Sequence, residues 1–131
     1  MKKIISLVII IAFCCGCEKE KPVVYSTSLI GEWTWLMSCG GFTGGCTTPK
    51  SSNQKITLVF TIDSIYNFYL NDTLRESITF HTYKSISPDF MDTVNVIKFG
   101  FSNQIYSINR DTLYLDDSNI DGFSSSYKRF R

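Results

Sequence analysis

Histidine occurs once in 131 residues, at position 81, and neither sign of charge dominates, with 13 basic against 12 acidic side chains. A single histidine to which spacing assigns no serine or cysteine gives no nucleophile–base pair, so the chain is read as something other than an enzyme. Together with Cys39 and Cys46, His81 supplies at most three metal ligands, and the six residues between the cysteines are unlike zinc spacings, so neither a metal nor another cofactor is expected. Balanced charge without a basic stripe removes the electrostatic reason for a nucleic-acid partner. Helical periodicity is missing as well: beyond the first residues, no segment of about a dozen keeps apolar side chains at i, i+3, i+4 and i+7.

Long apolar runs are also scarce. The one at residues 4–13, broken only by Ser6 and preceded by Lys2 and Lys3, has the pattern of a secretory signal. A helix of that length rises about 15 Å against about 30 Å of hydrocarbon, which excludes a membrane span. The Cys14-Cys15-Gly16-Cys17 stretch that follows resembles a lipobox, in which a small residue precedes the cysteine that is acylated and becomes the new N-terminus. Gly16 before Cys17 fits; ordinary cleavage nearby is the alternative. The resulting expectation is a lipoprotein signal over residues 1–16, a lipidated tether over 17–28 and one domain over 29–131. The lipid would hold the chain on a bacterial outer membrane, facing the periplasm or the cell surface.

Without residues 1–16 the chain keeps 115 residues, enough for one compact domain. Two of the five cysteines leave with the signal and one carries lipid, so Cys39 and Cys46 remain as a pair in a compartment that permits oxidation. A disulfide between them is the leading expectation, two free thiols the alternative.

What is present is period two. Aromatics make up 15% of the chain. Trp33, Trp35 and Met37 share a face of a first strand, and Ile56, Leu58, Phe60 and Ile62 alternate through a second. Turns at Asp63-Ser64 and Asn71-Asp72 bracket a third strand at residues 65–70 and open a fourth carrying Leu74, Ile78 and Phe80. A polar stretch with Pro88 leads to residues 93–101, read as a strand with apolar contacts on both sides, and Ser102-Asn103 is read as its turn. Residues 104–109, 112–116 and 123–130 complete eight strands, with turns at Arg110-Asp111 and residues 117–122. Eight short antiparallel strands joined mostly by tight turns predict an all-β, eight-stranded up-and-down barrel. The glycine-rich segment 38–53 is the longest irregular stretch, expected to arch over one end.

Gly31-Glu32-Trp33 on the first strand is similar to the Gly-x-Trp signature of lipocalins, and Tyr127-Lys128-Arg129 lies on the last. The chain over residues 29–131, with residues 33–49 and Asp121-Gly122-Phe123, resembles small lipocalin-like lipoproteins of Bacteroidetes-type bacteria. That resemblance implies that an arginine, Arg129 or in reserve Arg131, packs over Trp33 and with Gly31 closes the barrel floor. It also implies binding of a small apolar or amphipathic molecule without catalysis. The chain is shorter than most lipocalins and lacks their terminal helix, so the interior is expected to be small or filled by its own aromatics.

Three further patterns invite a chemical reading. Gly40 to Thr47 departs from the phosphate-binding G-x-x-x-x-G-K-[ST] loop where Cys46 replaces the lysine, and a strand follows where that motif needs a helix. Asp117-x-Asn119-x-Asp121-Gly122 matches the start of a calcium loop, but Lys128 stands where the bidentate glutamate belongs. Ser64, Thr73, Thr93 and Thr112 each follow an aspartate and precede an aliphatic residue, which resembles an O-glycosylation sequon of such bacteria; turn chemistry alone gives the same tripeptide.

Two functions follow. In one, Trp33, Trp35, Phe60 and Phe80 line an interior that binds a small apolar ligand. In the other, side chains fill the barrel and it acts as an envelope protein–protein interaction module, with Phe42 and the glycine loop as the contact patch.

Overall fold

A computed structural model describes residues 27–87, 91–117 and 121–130; the expected signal, Cys17, most of the tether, Pro88, Asn119 and Arg131 lie outside the described residues. The elements in order are β1 (Gly31–Gly40), β2 (Gly45–Thr47), the single-turn α1 (Pro49–Ser52), β3 (Ile56–Phe60), β4 (Ile65–Leu70), β5 (Thr73–Ile86), β6 (Thr93–Phe99), β7 (Ser102–Asn109), β8 (Thr112–Asp117) and β9 (Phe123–Arg129). Each of the strands from β3 to β9 pairs antiparallel with the next, and β9 returns to β1 through a register running from Trp33↔Arg129 to Gly40↔Phe123. Eight antiparallel strands therefore close a barrel in near-sequential order, the expected architecture.

The ninth strand, β2, comes from the segment expected to be irregular. β3 covers only the first part of β1, from Gly31↔Phe60 to Thr34↔Thr57, and leaves the far part of that edge open. The chain folds back through Gly41 to Gly44 and fills it, with Ser38↔Thr47, Cys39↔Cys46 and Gly40↔Gly45 in register. Gly41 at φ 74° and Gly44 at φ 64° take the left-handed conformations that this reversal needs. Thr48 then caps α1, its hydroxyl accepting from the Ser51 amide at 3.2 Å. An arching loop thus becomes a hairpin and one helical turn.

Four strand details depart from the alternation read in the sequence. A register shift between Trp35 and Met37 adds one residue to β1, so Ser38 takes the inward parity while Leu36 and Met37 are both exposed. Ile62 lies beyond β3 in an exposed turn. A second shift, between Phe68 and Tyr69 opposite residues 74–76, takes Leu74 off the parity of Ile78 and Phe80. The turn after β6 is Gly100-Phe101, not Ser102-Asn103: Phe99 pairs with Ser102, and Gly100 adopts φ 56°. The Asn71-Asp72 turn forms as expected, both residues at positive φ between paired Leu70 and Thr73.

Inward side chains make a core of Trp33, Trp35, Leu58, Phe60, Tyr66, Phe80, Ile97, Leu113, Leu115 and Tyr127. Phe60 packs against Tyr66 and Phe80 with ring centroids 5.3 Å apart in both pairs, and Tyr66 stacks on Phe99 at 4.8 Å. β6 is buried on both faces, Ile97 inside and Val96 outside.

Candidate functional site

The barrel has a sealed end and an open one. At the sealed end, which we call the floor, Trp33 is wholly buried and its indole N–H donates to the Leu29 carbonyl at 2.9 Å. Arg129, its register partner on β9, places the guanidinium carbon 4.1 Å from the centroid of the Trp33 ring. The same guanidinium donates to the carbonyls of Ile30, at 3.0 Å, and Ser28. It so ties the incoming chain across the barrel end, and partial burial holds its pKa below the usual arginine range. Gly31 makes the approach feasible: at φ 135° it has no Cβ, and one placed there would sit 3.0 Å from Arg129 Nη1.

Above the floor the interior is filled. Trp35, Phe60 and Phe80, read in the sequence as ligand-lining together with Trp33, are all buried in mutual contact with the core. Burial also penalises the phenolate forms of two inward tyrosines: Tyr66 is pushed well above the ordinary tyrosine range and Tyr127 up to about 12.

Toward the other end the inward side chains become half-buried, and their chemistry divides. On β3 to β6 the half-buried positions are Ile56, Phe68, Leu70, Ile78 and Phe99, a mostly apolar wall with the exposed Glu76 paired to Phe68 on the same parity. On β7, β8, β9 and β1 the corresponding positions are Gln104, Asp117, Ser125 and Ser38. These polar groups are bonded to one another: Gln104 Nε2 donates to Asp117 Oδ1 at 2.7 Å, the Ser38 and Ser125 hydroxyls lie 2.7 Å apart, and Trp35 Nε1 donates to Ser38 Oγ at 2.9 Å. The second Asp117 oxygen accepts from the Phe123 amide at 3.1 Å. The mouth is therefore amphipathic, with one mostly apolar wall that carries Glu76 and one hydrogen-bonding wall that carries Phe123 at its rim. Sequence reading missed the polar wall because parity was followed through apolar residues; alternate polar positions from 102 to 125 were its only signal.

Outer concavities among the described residues accompany this interior. One, of about 410 Å³, lies over Thr34, Leu36 and Lys128 on the outside of β1 and β9. One of about 250 Å³ is lined by Glu32, Thr57 and Tyr69, and one of about 160 Å³ by Tyr83, Val94, Val96 and Ile105. Thr34 pairs with Lys128 and Tyr83 with Val96 on the parity opposite to the core, which puts these surfaces outside the barrel.

Cys39 and Cys46 are joined by a disulfide, their Cα atoms 4.1 Å apart across the β1–β2 hairpin. At its tip Phe42 is 95% exposed, and Phe101 on the β6–β7 turn is fully exposed at the same end. Thr93 and Thr112 begin β6 and β8 at the floor end, Ser64 lies in the turn just before β4 at the same end, and Thr73 begins β5 at the mouth end. His81 is exposed on β5. Asp117 spends its carboxylate on Gln104 and Phe123, and among the described residues no three histidine, cysteine, aspartate or glutamate side chains gather as a metal site. Among the described residues, too, no helix is long and apolar enough to cross a membrane. No family model, curated protein or solved structure matches this chain.

Proposed function

We propose that this chain is a lipid-anchored envelope protein of lipocalin type whose barrel binds a small amphipathic ligand at its mouth, without catalysing a reaction on it. The observation that carries the reading is the division of the mouth: Phe68, Ile78 and Phe99 face Gln104, Asp117 and Ser125 across an interior whose lower half is solid. A tail lying on the apolar wall is taken out of water at about 25 cal/mol per Å², while a polar head exchanges hydrogen bonds with groups already oriented. Trp33, Trp35, Phe60 and Phe80 then act as the foundation of the site. Anchoring through Cys17 and an outer-membrane location belong to the proposal on the sequence pattern alone.

The test is titration with a fluorescent fatty acid, monitored by probe emission. Saturable binding weakened by Ile78→Asp, and separately by Asp117→Leu, supports an amphipathic mouth. Binding untouched by both substitutions refutes it. The solid lower interior and the exposed Phe42 favour the second reading, a protein-interaction module acting through its hairpin tips. Native mass spectrometry of the protein extracted from its envelope separates the two by showing a small-molecule or a protein adduct.

A further inference from the structure

The floor end gathers exposed apolar side chains as well as the incoming chain. Leu29 and Ile30 run beneath Trp33, and Phe130 follows β9 beside them, its amide donating to the Glu32 carbonyl at 2.9 Å. The turn between β3 and β4 and the connection from β5 to β6 lie at the same end. On these three separate pieces of chain, Ile62 is 91% exposed, Met91 is 90% exposed, and Ile86 and Phe130 are also largely open to solvent. Turns are ordinarily places for polar residues and glycine, so these side chains form an apolar surface, as Phe42 and Phe101 do at the other end, and the entry of the chain is what sets the floor apart. Among the described residues charge there is even, Lys84, Arg110, Lys128 and Arg129 against Glu32, Asp63, Asp92 and Asp111, so attraction to an anionic partner does not explain it.

We propose that this end rests on a lipid bilayer, with Ile62, Ile86, Met91 and Phe130 seated at the level of the headgroups and upper acyl chains. The inference rests on Cys17 being the lipid anchor. Nine residues separate Cys17 from Thr27, ten steps along the chain and so a reach of at most about 36 Å. Because the chain joins the barrel at the floor, that reach brings the floor to the membrane with slack. Turning the mouth to the membrane would stretch it along the wall, which for a ten-residue strand at the usual tilt is about 25 Å tall. The anchor also keeps the local bilayer concentration high, so individually weak side-chain insertions suffice. In this orientation Phe42, Phe101 and the amphipathic mouth face away from the anchoring membrane.

Hydrogen exchange of the full lipidated protein in phosphatidylethanolamine–phosphatidylglycerol vesicles tests the orientation, with mass spectrometry of the N-terminal peptide reporting lipidation separately. The expected result is several-fold slower exchange at residues 61–64 and 91–93 than in detergent, with no change at 41–44 and 100–101. The double substitution Ile62→Ser and Met91→Ser, at side chains outside the core, is expected to abolish the slowing while the protein stays on the vesicles. Equal exchange in vesicles and detergent with an acylated Cys17 overturns the orientation and leaves the anchor standing. Slowing at 41–44 and 100–101 instead also overturns it. An unmodified Cys17 removes the anchor and the orientation with it.

Discussion

Arg129 lies over the face of Trp33 at 4.1 Å and from there reaches two carbonyls of the chain that precedes β1. One side chain thus closes the β9–β1 junction, covers the indole and fixes the segment at residues 28–30.

Arg129→Lys retains the charge but loses the planar fork and most of the stacking. It is expected to lower stability by about 1–3 kcal/mol, read from urea unfolding, with Arg129→Met at least as damaging. Gly31→Ala is expected to cost about 1–3 kcal/mol from strain at positive φ, to which its new contact with Nη1 adds. Wild-type stability in Arg129→Lys would show that the floor is held by other contacts.

Replacing Cys39 and Cys46 together by serine is expected to lower stability by up to about 2.5 kcal/mol on the loop-entropy account. Hydrogen exchange should accelerate at Gly45–Thr47, while β3 to β9 keep their protection, because β2 is bonded only to β1. Loss of protection throughout the barrel would assign the hairpin a global role.

Raised phenol pKa values make the fold sensitive to alkali. Tyr127 titrates near 10 when unfolded and is pushed up to about 12 in the barrel, with Tyr66 shifted in the same direction. The folded state therefore holds more protons between those values, so this contribution to stability is complete below about pH 10 and declines as pH rises toward 12. Tyr127→Phe should flatten that decline in urea midpoints measured from pH 8 to 11.5; an unchanged slope contradicts the assignment.

The four aspartate-led Ser and Thr positions differ in the company they keep. Ser64 and Thr93 are each two residues from Ile62 or Met91, and Thr112 shares their end, whereas Thr73 is at the mouth end and exposed. A glycan on Ser64 or Thr93 is incompatible with the proposed membrane contact, so peptide mapping of native protein is expected to find those two unmodified, with Thr73 the compatible site.

Closure, strand number and most turns were legible because alternating apolar residues between turn formers leave few other solutions. The floor was legible through Gly31, Trp33 and Arg129, whose residue types are constrained by close approach and stacking. Illegible were the features that break period two. The bulge before Met37 costs no unusual residue, so nothing in Trp-Leu-Met signals it. Gly100-Phe101 was hidden because a phenylalanine in a turn reads as strand, and Ser102-Asn103, good turn formers, pair in β7 instead. β5 continues through polar residues to Ile86 because its partner β6 supplies the ladder, a tertiary cause that local pattern does not carry. The polar wall of the mouth was missed for the same reason: Gln104 and Asp117 are thirteen residues apart and meet only through the β7–β8 register.

β5 gives residues 73–79 to β4 and residues 80–86 to β6, and the two sides meet only at Phe80, whose amide also donates to the Ser64 carbonyl at 2.9 Å. At Phe80 the wall is consequently carried by one strand and a single bridging backbone bond instead of long ladders on both sides. This is a seam. Phe68 and Ile78 stand on one side of it with Phe99 on the other. The apolar lining of the mouth is thus divided between two ladders that a single strand joins.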